Sequence, residues 1–321
     1  MLLRVSEGTL AVLSLTRLVM LESPKTAYLL QYSKDGCQAA CAFCSQSKFA
    51  SANKTLLSRV SWPIIEVNKV VEKITENEDS FRRICIQNVL KPRFQEEMMD
   101  ILEKFKQQSI TLPISICTTP VSKTVLRTLK RLGVDYIGVG LDGASPRILR
   151  AVKKPYSWSI YWDFIEKSVE VFGHRKVNVH LIFGLGESEK EFAKTMEKIY
   201  NTGAEVALFP FTPISGTFME KRLMPHVDRY RIMQILRFLF SEGYDLKEAC
   251  EDKEDGKIYI QNVKWVKNSE KIFLTSGCPS CNRPFYNERP KMIYNYPSVK
   301  LLLNDLNLLH DQSKSFGFSP Q

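Results

Sequence analysis

Six short runs rich in β-branched and aromatic residues alternate along this chain with longer segments whose apolar residues return every three or four positions. That alternation is what repeated βα units around a parallel sheet require. The strand candidates are "TAYLLQY" (26–32), "RRICIQNV" (82–89), "LPISICTT" (112–119), "DYIGVGLDG" (135–143), "KVNVHLIFGLG" (176–186) and "AEVALFPFTP" (204–213). Between them "PIIEVNKVVEKITE", "FQEEMMDILEKFKQQ", "SKTVLRTLKRL", "SWSIYWDFIEKSVEVF" and "ESEKEFAKTMEKIYNTG" read as amphipathic helices. The pattern predicts an α/β fold, a partial (β/α)6 barrel of the TIM type, with its site at the C-terminal ends of the strands. After Thr217 the pattern changes to a helix, "VDRYRIMQILRFLFSEG", a charged connection, "KEACEDKEDGK", and a compact C-terminal extension. The expected divisions are an N-terminal helical segment (1–25), the barrel (26–217) and the extension (218–321).

With 321 residues, 44% of them hydrophobic and 25% charged, the chain can bury a sizeable core. The most apolar early stretch, "GTLAVLSLTRLVML", is broken by Ser14, Thr16 and Arg17. It falls short of the roughly 20 apolar residues of a membrane span and reads as a packed helix. Without a cleavage site after it, a cytoplasmic protein with no membrane contact is expected. The net charge of +10, from 45 Lys and Arg against 35 Asp and Glu, suits an acidic partner or a solvated basic surface. No Arg-rich tail or basic run interleaved with aromatics concentrates that charge, so nucleic acid is not an expected partner.

Eight cysteines sharpen the reading: Cys37, Cys41, Cys44, Cys85, Cys117, Cys250, Cys278 and Cys281. In a cytoplasmic chain their clustering points to metal or redox chemistry before disulfides. "DGCQAACAFCSQ" sets Cys37, Cys41 and Cys44 in one loop after the first strand. Three thiolates hold three irons of a 4Fe-4S cubane and leave the fourth open. Structural zinc takes four ligands, and no further Cys or His lies near in sequence. Cys85 and Cys117, at corresponding depths of neighbouring strands, read singly as small core residues. With Cys278 and Cys281 of "TSGCPSCNRPFYNERP" they make four thiols, the number that completes a second cluster. A zinc half-site or a redox dithiol is the alternative for that CxxC. Cys250 or Ser276 could substitute for one ligand, although Cys250 stands in a stretch expected to be exposed. Arg283 and Arg289 flank "PFYNE", where they bind a carboxylate, position the flap or form salt bridges.

The CxxxCxxC of Cys37, Cys41 and Cys44 resembles the signature of the radical S-adenosylmethionine superfamily. That resemblance implies a cubane whose open iron is chelated by S-adenosylmethionine, cleaved to a 5'-deoxyadenosyl radical, with Phe43 near the adenine. "HLIFGLGE" (180–187) resembles the family's adenine-binding pattern, with Ile182, Gly184 and Glu187 in register and His180 where glycine is usual. "GLDGAS" offers Asp142 for the ribose hydroxyls. The family's GGE motif is missing, and Gln87 or Asn88 of "IQNVLKP" stands in its place toward the methionine amino group. The ICIQN and SICTT cysteines and "TPISGT" resemble biotin synthase, with Asn178 where that family has another ligating cysteine. "GTLAVLSL" and the CxxC segment are similar to biotin synthase-related proteins that include the two-component lipoyl synthases of archaea.

The resemblance implies sulfur insertion into an octanoyl chain on an acidic lipoyl-carrier protein. The second iron-sulfur cluster would be the sulfur donor, a partner synthase subunit would divide the insertions, and an electron donor protein would supply reductant. Biotin synthesis, another radical thiolation including that of tRNA, or a non-catalytic iron-sulfur or zinc-binding partner protein are the other readings. The expected site is thus Cys37, Cys41 and Cys44 with Phe43, Gln87, Asp142, Ile182, Gly184 and Glu187, and a second metal set of Cys85, Cys117, Cys278 and Cys281.

Overall fold

The computed structural model describes residues 1–252, 256–260, 269–288 and 292–314. Its main sheet has eight strands: β1 (Leu2–Val5), β2 (Thr26–Gln31), β3 (Ile64–Glu66), β4 (Arg83–Gln87), β5 (Ile114–Thr118), β6 (Val134–Asp142), β7 (Val177–Phe183) and β8 (Glu205–Pro210). They lie in the order β8-β7-β6-β5-β4-β2-β1-β3, with β8 and β3 as the two edges. The six strands from β2 to β8 that exclude β3 pair in parallel, as the sequence pattern predicts. The sheet is an open barrel of the TIM type.

Helices return the chain between these strands: α2 (Val67–Glu76), α3 (Phe94–Gln107), α4 (Lys123–Arg131), α5 (Pro146–Ala151), α6 (Trp158–Phe172) and α7 (Glu189–Asn201), after a short α1 (Glu7–Val12). Ser122, Ser145, Ser157 and Ser188 start α4 to α7, each accepting a backbone N–H of the first turn, which satisfies an otherwise orphaned donor. Strand alternation then sorts the side chains. Ile84, Ile86, Ile116, Ile137, Val139 and Leu181 face the helices and are fully buried in the aliphatic core. The residues between them, among them Tyr28, Cys85, Gln87, Cys117 and His180, line an internal cavity.

The N-terminal segment differs from the expected helix. Leu2–Val5 add an antiparallel strand beside β2, and α1 ends at Val12, with Ser14 in the left-handed region at φ 56°. Leu13 and Leu15 still pack on the core, but Leu18, Val19 and Leu21 beyond them are exposed. Cys250 is corrected too: it is buried, its Sγ 3.2 Å from the Leu246 carbonyl.

The extension is fastened by α8 (Val227–Ser241). Arg231, 1% exposed, donates to the carbonyls of Ile293 (2.6 Å) and Tyr294 (2.5 Å) and to the side chains of Gln234 and Gln312. From there the chain runs along the open side of the barrel. Ser276 Oγ accepts the edge N–H of Leu208 in β8 at 2.9 Å, and Asn282 Oδ1 accepts that of Lys25, next to β2, at 3.0 Å. Side-chain groups thus occupy backbone donors at the seam that no further strand covers.

Candidate active site

The loop after β2 folds on itself. Cys37 N–H donates to Gln46 O at 2.7 Å and Cys44 N–H to Cys41 O at 3.2 Å. Gly36, at φ 76°, makes the entry turn, where a Cβ would stand 2.7 Å from Gln46 O. Cys37 Sγ accepts N–H bonds from Leu90 at 3.2 Å and Ala39 at 3.5 Å, the contacts that a thiolate ligand takes. Burial pushes the Cys41 thiol up and the Cys44 thiol up to about 12, so each holds its proton until a metal displaces it.

A cavity of about 200 Å³ opens beside this loop and is lined by Phe43, Cys44, Asp142, Ile182 and Gln87. Five residues expected at the cofactor site therefore meet. Asn88 is turned away, its Nδ2 2.8 Å from Met98 Sδ. Gly184 and Glu187 are not in the lining; Glu187 Oε1 instead accepts the Gly184 N–H at 2.6 Å and holds the turn after β7. Asp142 pairs with Lys154 at 2.6 Å, both nearly buried, and the Lys154 ammonium lies over the Tyr161 ring.

The far wall of the same cavity carries the second set of thiols: Cys85, Cys117, Cys278 and Cys281. The sequence places Cys85 and Cys117 at one level, and the register corrects this. Cys85 pairs with Ser115 and Cys117 with Gln87, two residues along the strands, but their Sγ atoms stand 3.8 Å apart. The CxxC turn is closed by Cys281 N–H to Cys278 O at 2.9 Å; burial raises the proton affinity of both its thiols and Cys85 adds to it, which places Cys85 in electrostatic reach. Arg83 Nε donates to Pro279 O and Thr26 Oγ1 to Ser280 O, so the turn seats on the first residues of β4 and β2. Tyr28 completes the seat. Its oxygen accepts the N–H groups of Asn282 (3.1 Å) and Arg283 (2.8 Å), which directs its own proton to Cys281 Sγ at 3.4 Å.

Gly138, in the layer between Cys117 and Asn178, leaves the space that Cys117 uses, since a Cβ there would lie 2.5 Å from its Sγ. Asn178 is fully buried with both side-chain polar atoms unpartnered. A buried amide of that kind calls for a partner the protein does not supply. His180 Nε2 lies 3.8 Å from Cys117 Sγ, and burial holds its imidazole down to about 4, neutral. Among the described residues no three His, Cys, Asp or Glu side chains converge as the ligands of a single ion would.

Residues 32–199, more than half of the chain, match the family model of the Radical SAM superfamily. The chain belongs to that superfamily. A radical SAM protein carries a 4Fe-4S cluster and S-adenosylmethionine, and the three thiols of the loop, with no fourth cysteine beside them, fit that cluster. Solved structures similar to the chain include methylornithine synthase (PylB), 14% identical, with 66% of this chain and 62% of that one covered and a TM-score of 0.51. HydG, a maturase of the [FeFe]-hydrogenase, is 11% identical over 69% of this chain and 51% of its own, with a TM-score of 0.54. HydG from Carboxydothermus hydrogenoformans is 15% identical, with 74% and 56% covered and a TM-score of 0.50. The chain thus spans about half to three fifths of these structures, and the likeness is one of fold. Among curated proteins none matches.

Tyr28 and Arg83 line the same cavity and Lys154 pairs with its Asp142, although no motif marks any of the three. Alternation from Cys85 turns Arg83 inward, and that of β2 does the same for Tyr28; Lys154 sits in a loop without any such signal. Arg283 lies flat over the Phe209 ring at 3.7 Å and donates to Ser276 O, which makes it part of the cavity wall. Arg289 lies outside the described residues.

Among the described residues no helix is long and apolar enough to cross a membrane.

Proposed function

We propose that this radical SAM enzyme inserts sulfur into the octanoyl chain of an acidic lipoyl-carrier protein, as a lipoyl synthase subunit does. The observation that carries the reading is a single cavity lined both by Cys44 of the three-cysteine loop and by the four thiols of the second set, Cys85, Cys117, Cys278 and Cys281. When bound, the first cluster and S-adenosylmethionine supply hydrogen abstraction from an unactivated carbon, and a second cluster held by Cys85, Cys117, Cys278 and Cys281 supplies sulfur.

The chain's own residues orient and enclose. Leu57, Ile182, Ala207, Phe209, Phe211 and Ile214 give the cavity an apolar lining suited to an alkyl chain and exclude water from a reactive carbon. Asp142, fixed by Lys154, presents a carboxylate for ribose hydroxyls beside Phe43. Asn287 Nδ2, bonded to Ser58 Oγ (3.1 Å) and Thr212 Oγ1 (3.0 Å), ties the extension to the loops of the barrel mouth. The net charge of +10 favours the acidic carrier, and the partner subunit and an electron donor protein complete the proposal.

The test is anaerobic incubation of reconstituted protein with S-adenosylmethionine, reductant and an octanoyl-lysine peptide, with mass spectrometry of the peptide and of 5'-deoxyadenosine. A thiolated peptide is the expected result. Deoxyadenosine formed while the octanoyl peptide, a monothiolated peptide supplied with it and the same peptides with a partner subunit all stay unthiolated would overturn the sulfur-insertion reading and keep the radical chemistry.

A further inference from the structure

Lys54 has no role in the proposal above, yet its ammonium is built into the three-cysteine loop. Nζ donates to Ser45 O at 2.9 Å, Ser47 O at 2.6 Å and Ala50 O at 3.0 Å. An ammonium has three donors, and all three close on the chain directly after Cys44. The backbone of the same residue is gripped in return: Gln46 Nε2 donates to Lys54 O at 2.9 Å and Leu56 O at 2.7 Å, while Gln46 O accepts the Cys37 N–H. The side chain and main chain of Lys54 thus span both ends of the cysteine loop.

Among the described residues the charge has no carboxylate counter-ion, and each recorded bond of Nζ goes to a neutral carbonyl. Burial lowers its proton affinity, and the Cys44 and Cys37 side chains lie within electrostatic reach and act against that lowering. A part-buried cation is stabilised by an opposite charge in the same low-dielectric region. A cubane on three thiolates is anionic and gains one further negative charge when an external one-electron reductant reduces it.

We infer that Lys54 is a positioning residue and the resident counter-cation of the three-cysteine cluster, fixing the loop from Ser45 to Ala50 and favouring the reduced state. The inference rests on membership of the radical SAM superfamily and is independent of sulfur insertion. The test reconstitutes full-length Lys54→Met and Lys54→Arg anaerobically with iron and sulfide and titrates them with dithionite under electron paramagnetic resonance. The signal that changes on adding S-adenosylmethionine identifies the cluster.

Lys54→Met is expected to keep this cluster's iron. At the potential where the parent is half reduced, its ratio of reduced to oxidised cluster falls at least about ten-fold, a shift of ~59 mV for one electron. Lys54→Arg stays near the parent. A parent-like potential in loaded Lys54→Met overturns the inference. Should Lys54→Met lose the iron, the arginine variant decides: iron and potential recovered sustain the counter-cation role, and iron lost in both variants overturns it.

Discussion

Replacing Lys154 with methionine isolates the energetics of the Asp142 carboxylate that the cavity presents. The two side chains are 7% and 14% exposed and 2.6 Å apart, so removal of the ammonium strands a carboxylate in a nearly dry position. Breaking one half of a buried pair costs about 3–5 kcal/mol. At about 2–3 °C per kcal/mol for a large domain, Lys154→Met lowers the unfolding midpoint by roughly 6–15 °C. Burial pulls the Lys154 ammonium down, but Asp142 and Cys41 outweigh it and hold the group well above its ordinary 10.5. The sign follows: the stabilisation is complete below 10.5 and is lost as pH rises through the higher folded value. The loss on mutation is therefore full at pH 7.5. The assay is thermal unfolding of the cluster-free parent, of both single variants and of Lys154→Met/Asp142→Leu, followed by circular dichroism. The double variant, which buries no lone charge, should recover most of the loss. A single variant within about 2 °C of the parent, or a double variant as unstable as the sum of the singles, would refute the reasoning.

Cys278→Ala/Cys281→Ala should lower reconstituted iron from about eight to about four per chain while S-adenosylmethionine cleavage persists; unchanged iron by colorimetric assay would refute those ligands. Gly138→Ala, whose Cβ meets Cys117 Sγ at 2.5 Å, should reduce only the second iron set, visible as a selective loss in Mössbauer spectra. Arg231→Met leaves two carbonyls of the extension without their charged donor, about 2–5 kcal/mol, and should expose the 275–288 segment to limited proteolysis before the barrel is cut.

The barrel was legible because parallel strands covered on their outer face carry runs such as "RRICIQNV" whose length and β-branched content separate them from the helices between. The first thiol set was legible because its ligands lie within eight residues, Cys37 to Cys44. Other features depend on the path of the chain. β1 is four residues long, and nothing in "LLRV" distinguishes a strand from the start of the apolar run that follows. Cys85 and Cys117 were assigned one level because each lies mid-strand, whereas register between strands depends on where each enters the sheet, offset here by two residues. Gly184 and Glu187 matched a local pattern, but their contact with each other satisfies the turn. Lys154 was invisible because a buried lysine is defined by its partner, twelve residues earlier in sequence at Asp142.

The seam that Ser276 and Asn282 close also sets an order of events in the life of the chain. The first three thiols and Lys54 have all left the ribosome while most of the barrel is still unmade. Cys85 and Cys281 are 196 residues apart (281 minus 85), and the latter belongs to a segment that seats only after β2, β4 and β8 have taken their places. On the proposed ligand sets maturation would be sequential: the first site is complete in sequence by Lys54, whereas the second awaits Cys281. On the proposed ligand sets, truncation before Cys278 would keep the three loop thiols and remove both the CxxC and the Asn287 tie to the barrel mouth.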